Sequence, residues 1–355
     1  MTDSSSSNRA LAPGEIAGCR GINGPEPSAA LDKVTVSLAG RGAEAQPSYP
    51  ASRATLDTVR IVDVARADAR ALARIKGQST VSLVIPAKNE VGRVGNVVGI
   101  AHAELVARTG LVDEILVVDD GSVDATPEEA AAAGARVVRA ADVLPDVGPG
   151  TGKGEALWKG LAASIGDLVV YCDADLVDFD PRIIAQLVAP LLTEPATQFV
   201  KGFYKRPLDG VMGEGGRVTE LLARPLIATF LPHLASVYQP LVGEYAGRRS
   251  ALERIPYVQG YGVDLAMLCD LTELYGLDAL VQVDLGIRYH RNRSLRDLGP
   301  QAVAVLQSAL TRSGRDLPLD LAVDLLRPDQ PVRQIRHTER PPLATVPGYH
   351  ALARP

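Results

Sequence analysis

Two aspartates emerge from an apolar run at Asp173-Ala174-Asp175, within Val-Val-Tyr-Cys-Asp-Ala-Asp. Spacing alone carries little, because the chain has 26 Asp and its two Asp-x-Asp pairs (the other is Asp178/Asp180) are the number chance supplies. Context carries more. Alternation along a strand aims both carboxylates to one side, and such a pair suits a hard divalent cation bridging to diphosphate oxygens. The plain alternative is two solvated carboxylates or a helix cap. Asp119-Asp120-Gly121-Ser122 ends another apolar run. On its own it reads first as a turn with a capping serine, and its place before Asp173 makes it a seat for a ribose or base.

Gly148-Pro-Gly-Thr-Gly-Lys-Gly-Glu-Ala invites a phosphate-loop reading and fails it: Val147 stands where the first glycine belongs, Gly154 replaces the Ser/Thr, and no strand runs directly into it. The dinucleotide fingerprint fails too, since the glycines run 150, 152, 154. What survives is a loop that sets Lys153 at a helix start, where it can meet a diphosphate, or else a mobile surface loop. Gly213-Glu-Gly-Gly-Arg-Val-Thr opens a second helix, with Arg217 and free backbone N–H groups for a small anion; a plain helix entry fits equally well. Tyr289-His290-Arg291-Asn292-Arg293 follows a strand-like run, so His290 is placed to join a cation site and an arginine to neutralise an anionic substrate. Lys201–Arg206, by contrast, reads as a solvated basic strand end.

These groups need a scaffold, and the chain reads as one. Strand-like runs at 80–87, 114–120, 135–140 and 167–175 alternate with helical stretches at 95–109, 127–133, 153–164 and 181–192. Continuous β-branched runs between helices predict an α/β fold, a mostly parallel sheet covered on both faces. Such sheets bind ligands beyond the carboxyl ends of their strands, where the polar groups of three strands fall. Residues 1–54 read as a Ser/Gly/Ala/Pro-rich disordered leader, 55–78 as one helix, and 79–314 as the catalytic unit, divided at 180. Residues 315–355 read as a proline-punctuated tail packed on a partner subunit.

Composition limits the classes of function. The 355 residues carry a net charge of −5, with 37 basic against 42 acidic side chains, so nucleic acid and anionic lipid have no global attraction to it. Fifteen aromatics make no stacking platform. Three scattered cysteines, Cys19, Cys172 and Cys269, form no disulfide framework. With neither a secretory signal nor an apolar run long enough to span a bilayer, the expectation is a cytoplasmic protein.

The ordered set VSLVIPAKNE, DEILVVDDGSVDAT, GKGEALWKGLAASIGDLVVYCDADL, VKGFYKRPL, GGRVTELLARPL, QPLVGEYAGRR, GYGVDLAMLCD and VDLGIRYHRNRSLRDLG, over residues 80–312, resembles family-2-like nucleotide-sugar transferases of the GT-A fold. More closely it resembles the glucosyl-3-phosphoglycerate synthases (glycosyltransferase family 81). That resemblance implies a Rossmann-like sheet between helices with a helical C-terminal extension, and a homodimer. The implied reaction is glucosyl transfer from UDP-glucose to the 2-hydroxyl of 3-phosphoglycerate, with retention and with Mg²⁺ or Mn²⁺. Carried over by position, Asp175 and His290 would ligate the metal and Asp173 would hold the donor ribose or sugar. Pro86, Ala87, Lys88, Glu90, Asp119, Asp120, Lys153 and Ala174 would line the donor site. Gly216, Arg217 and Thr219, with Asn292 and Arg293, would grip the acceptor, and Asp264 would sit at the transferred sugar. The chain departs from the family pattern in Ala174 for serine, Lys88-Asn89 for Leu-Asp, and Asp120 for serine. These last departures bear on donor identity, and mannosyl-3-phosphoglycerate synthases, which use GDP-mannose, share most of the motifs. A sugar-phosphate nucleotidyltransferase and a non-catalytic nucleotide-sugar-binding protein are the other readings. The former is disfavoured because PAKNEVGRVG lacks a glycine-rich loop after the first strand.

Overall fold

Long apolar runs such as Val81–Ala87 have no polar face to offer water, so they are stable only where helices cover both sides of the sheet they join. In the computed structural model, which describes residues 58–205, 207–208, 211–212, 216–288, 294–314, 322–328 and 330–349, that is what they do. All of these fall in one unit, Arg53–Pro355.

In chain order the strands are β1 (Arg60–Val62), β2 (Val81–Ala87), β3 (Glu114–Asp119), β4 (Arg136–Arg139), β5 (Leu168–Tyr171), β6 (Phe199–Lys205), β7 (Pro207–Leu208), β8 (Val211–Met212), β9 (Tyr245–Arg248), β10 (Tyr257–Val258), β11 (Leu280–Ile287), β12 (Ala322–Leu325), β13 (Arg333–Arg336) and β14 (Glu339–Arg340). Eight make one sheet in the order β1-β11-β6-β9-β5-β2-β3-β4. All pairs in it are parallel except those of β9, which runs against both β5 and β6. The helices are α1 (Ala69–Ile75), α2 (Val94–Ala101), α3 (Thr126–Ala132), α4 (Lys153–Ala163), α5 (Arg182–Thr193), α6 (Arg224–Phe230), α7 (Arg249–Leu252), α8 (Val263–Tyr275) and α9 (Leu295–Thr311). The last is the helical C-terminal region implied by the resemblance. Two apolar clusters, one around Trp158, Tyr171 and Tyr245 and one around Ile85, Val98 and Leu187, make the core.

One expectation is corrected. Residues 55–78 are not one helix: Arg60–Val62 is an edge strand parallel to β11, and the helix is confined to Ala69–Ile75, capped by the Asp68 carboxylate accepting from Ala71 N. A short β-branched run is ambiguous by period alone, and here sheet pairing decided it. Described residues of the proline-punctuated tail also pack on this chain. Strand β14 pairs with β10, and Trp158 Nε1 donates to Pro341 O at 2.9 Å. No helix among the described residues is long and apolar enough to cross a membrane.

Glycine marks where α4 meets the sheet. A Cβ at Gly160 would collide with the Val84 side chain and press Val118, whereas one at Gly99, in α2, meets nothing within 4 Å. Gly160→Ala should therefore destabilise the fold by about 1–3 kcal/mol. Gly99→Ala should stabilise it by about 0.5–1 kcal/mol. Paired chemical-denaturation curves check the opposite signs.

Candidate active site

The carboxyl ends of β2, β3 and β5 open onto one cavity of about 450 Å³. Three loops build its walls, and each is held by contacts that its sequence makes possible. After β2, Asn89 takes a left-handed conformation (φ 56°), which asparagine tolerates. Its N–H donates to Ser122 Oγ at 2.9 Å, and its side-chain oxygen accepts from Val123 N at 2.9 Å. This ties the β2 loop to Asp119-Asp120-Gly121-Ser122. Asp119 is buried and accepts from Ser122 N at 3.0 Å. Asp120 accepts from Gly152 N at 3.1 Å, which ties the β3 loop to the start of α4.

Of the residues expected around the donor, Pro86, Ala87, Lys88, Glu90, Asp120, Lys153, Asp173 and Ala174 all line this cavity, and so does Asp175. Asp119 does not line it and instead shapes the turn. Lys88 and Asp120, two of the departures from the family pattern, face each other at 3.3 Å. Tyr261, inside the GYGVDLAMLCD motif but not singled out there, and Arg333, from the C-terminal segment, also line the cavity.

From the cavity lining a charge cluster runs inward. Lys153, its side chain 13 % exposed, stands 3.2 Å from both Asp173 Oδ1 and Asp264 Oδ2. Asp264 Oδ1 also accepts from Tyr245 OH at 3.1 Å. Burial raises the Asp264 pKa while Lys153 and Lys201 pull it back. Burial alone would lower the Lys153 pKa, but Asp173, Asp264 and Glu244 together raise it above the ordinary lysine value, so it stays a cation. Asp264 is thus a member of the layer beneath the cavity rather than of its lining.

Lys201 overturns the reading of its segment as a solvated strand end. It is 2 % exposed, opposite Tyr245 in the sheet, with Nζ donating to Val242 O at 2.7 Å and lying 4.5 Å from the Tyr245 ring centroid. Burial pushes its pKa down to about 8. Basic residues cluster at strand ends for many reasons, and only the antiparallel insertion of β9 put this one inside. Beside it the fully buried Glu244 accepts from Tyr204 OH at 2.9 Å and from Arg288. This anchors the end of β11 at the rim.

The acceptor set is divided. Gly216, with φ +92°, turns the chain into the helical residues 217–223, and Glu220 N donates to Gly216 O at 3.0 Å. Thr219 is buried there, and none of Gly216, Arg217 and Thr219 lines the cavity. His290, Asn292 and Arg293 lie outside the described residues. Among the described residues no group of three or more His, Cys, Asp or Glu forms a ready metal cluster. Asp173 and Asp175 nevertheless fit a hard cation. Both are carboxylates lining one cavity, which is the donor chemistry Mg²⁺ and Mn²⁺ favour. Gly243 also leaves room for Asp173, since a Cβ there would collide with its carboxylate.

A mostly parallel sheet interrupted by one antiparallel strand, with an acidic pair and a lysine at its carboxyl rim, defines a glycosyltransferase, and the Glycosyl transferase family 2 model matches residues 82–238. The chain is 48% identical over 243 residues to the glucosyl-3-phosphoglycerate synthase of Mycolicibacterium smegmatis, covering 67% of this chain and 79% of that protein. A crystal structure of the Mycobacterium tuberculosis glucosyl-3-phosphoglycerate synthase with Mn²⁺, UDP-glucose and phosphoglyceric acid superposes with a TM-score of 0.70 at 43% identity, covering 77% of this chain and 93% of that one. Another, with phosphoglyceric acid, has a TM-score of 0.72 at 42% identity and covers 82% and 98%. The chain belongs to the glucosyl-3-phosphoglycerate synthase family.

Two outcomes follow from the geometry. Gly243→Ala should push the Asp173 carboxylate aside and lower the transfer rate by about 10–100-fold with the fold retained, since small misplacements at a reacting centre are costly; steady-state rates beside a thermal melt check it. Lys201, with its folded pKa near 8 and its ordinary value 10.5, holds fewer protons folded than unfolded between those limits, so it makes stability rise with pH there. Lys201→Met should remove that part of the rise, read as the difference between denaturation curves of the two proteins from pH 7.5 to 10.5.

Proposed function

We propose that this enzyme transfers glucose from UDP-glucose to the 2-hydroxyl of 3-phosphoglycerate, with retention at the anomeric carbon and with Mg²⁺ or Mn²⁺. The observation that carries the reading is the cavity in which Asp173, Ala174 and Asp175 leave β5 beside Lys153. The names and bound molecules of its relatives support the substrates and the metal.

Both substrates are anionic and the chain is net −5, so local cations must balance their charge. Asp175, with His290, would hold the metal, which when bound supplies positive charge to the departing diphosphate oxygen. Lys153 stays protonated and faces the same diphosphate from the helix start. Pro86, Ala87, Lys88, Glu90 and Asp120 enclose the nucleoside, with Asp119 holding the turn and Asp173 set for the ribose or sugar. Arg217, with Gly216, Thr219, Asn292 and Arg293, holds the acceptor carboxylate and phosphate. Asp264 orients the transferred sugar from below, through its bonds to Lys153 and Tyr245.

Retaining glycosidases place a carboxylate nucleophile about 5 Å from its acid partner. Both oxygens of Asp264 are instead engaged, one by Lys153 and one by Tyr245, which supports a front-face route: the departing phosphate oxygen takes the acceptor proton as the new glycosidic bond forms. A second reading, mannosyl transfer from GDP-mannose, rests on the Lys88–Asp120 pair, a polar contact where the family carries Leu and Ser. The reaction is assigned to the cytoplasm, in keeping with the buried free thiols of Cys172 and Cys269. The working unit is assigned as a homodimer, which light scattering on the purified chain checks.

Nucleoside-diphosphate release, assayed with UDP-glucose, ADP-glucose, GDP-glucose and GDP-mannose, should be fastest with UDP-glucose and should require both 3-phosphoglycerate and the cation. Preference for GDP-mannose would move the enzyme to the mannosyl branch, and no acceptor-dependent release from any donor would refute the proposal. Asp175→Ala should cut turnover by at least about a hundredfold, while Arg217→Ala should mainly raise the acceptor KM. Mass spectrometry should find no glucosyl adduct on Asp264; a trapped adduct would overturn the front-face route.

A further inference from the structure

The glycines at 150, 152 and 154 match no phosphate-binding fingerprint, and the structure gives their spacing another cause. A Cβ at Gly154 would collide with Val258 O, one at Gly152 would come within 2.8 Å of Gln259 O, and one at Gly150 would collide with the Arg340 guanidinium. The loop is therefore pressed, residue by alternate residue, against β10 and β14. Arg340 is the centre of that contact. Its guanidinium is buried, bridges both oxygens of the buried Glu155 carboxylate at 2.6 and 2.8 Å, and donates to Val147 O at 2.7 Å and Gly148 O at 2.8 Å. Gln259 Nε2 also donates to Glu155, at 3.1 Å, and Thr338 O accepts from Gln259 N at 3.0 Å. One guanidinium thus satisfies a buried carboxylate and two loop carbonyls at once, which a lysine cannot do. On the other side of the same loop, Gly152 N donates to Asp120, and Gly152 and Lys153 line the cavity.

The geometry points to Arg340 as a positioning residue for donor binding: from the C-terminal segment, through Glu155, it sets the Val147–Lys153 loop against the nucleotide-sugar cavity. The inference rests on the donor reading above. Its physical basis is that a glycine-rich loop is entropically costly to order, so a charged group that already holds two of its carbonyls spares the donor that cost on binding.

Arg340→Lys in the full-length protein keeps the charge and loses the fork. Ligand-free amide hydrogen exchange should speed up by about tenfold in the 147–153 peptide, while helix α5, on the opposite face, stays as in the wild type. The KM for UDP-glucose should rise about tenfold, with the KM for 3-phosphoglycerate within about twofold of its wild-type value. Unchanged exchange at 147–153, a uniform rise across the whole chain, or an unchanged donor KM beside active wild-type enzyme would overturn the inference. Should the wild type turn over no UDP-glucose, the donor reading fails, and local loosening of the loop alone still decides the role of Arg340. If Arg340→Lys does not fold, Gly150→Ala disturbs the same contact from the loop side and must give the same local loosening and donor-selective KM rise.

Discussion

Lys153 leaves bulk water to stand between Asp173 and Asp264, and removing an ammonium from water costs several kcal/mol unless opposite charge is supplied in good geometry. Two carboxylates at 3.2 Å supply it, and much of the architecture follows from having to bring them there. Asp173 comes from the end of β5, Asp264 from the first turn of α8, and Lys153 from the first residue of α4. Each belongs to an element that also buries apolar side chains in the core. The two negative charges are further balanced by Lys201, one strand away, which burial brings down to a pKa of about 8 and which is still mostly a cation near neutral pH. Charge, not shape, sets the arrangement at this rim.

The antiparallel strand β9 is what lets the cluster close. Inserted between β5 and β6, it starts at the rim where its parallel neighbours end. Its first residue, Tyr245, therefore stands opposite Lys201 at that rim, with Glu244 immediately before it. Tyr245 orients Asp264, and Glu244 anchors Arg288. A glycine at 243 keeps that close approach open to the Asp173 carboxylate.

The C-terminal segment serves the other side of the cavity. A two-residue strand, β14, carries Arg340 under the loop that begins α4, and Trp158 locks the following chain through Pro341 O. This wall of the cavity is thus assembled from residues nearly two hundred positions apart, with Arg333 contributing to the lining directly.

Much of this is legible in the linear sequence, because strand–helix alternation and polar strand ends are local patterns with a direct physical meaning. Val81–Ala87, Glu114–Asp119 and Leu168–Tyr171 could hardly be anything but buried parallel strands, and the shared direction of such strands is enough to put Lys88, Asp120 and Asp173 at one rim. The family resemblance adds Asp264, which the fold sets beneath the cavity. Period and propensity do not reveal that Arg60–Val62 is a strand, since so short a segment acquires that identity only by pairing with β11. Nor do they tell a buried lysine from a solvated one: Lys201 lies in a basic run that reads as exposed, and only the insertion of β9 removed it from water. The glycines at 150, 152 and 154 are visible as a pattern without a cause, because the surface they pack against, Val258, Gln259 and Arg340, is far away in the chain. Sequence by itself determined the scaffold and the rim; tertiary structure decided which charges are buried and what holds the loop, because desolvation and close packing are properties of neighbours in space.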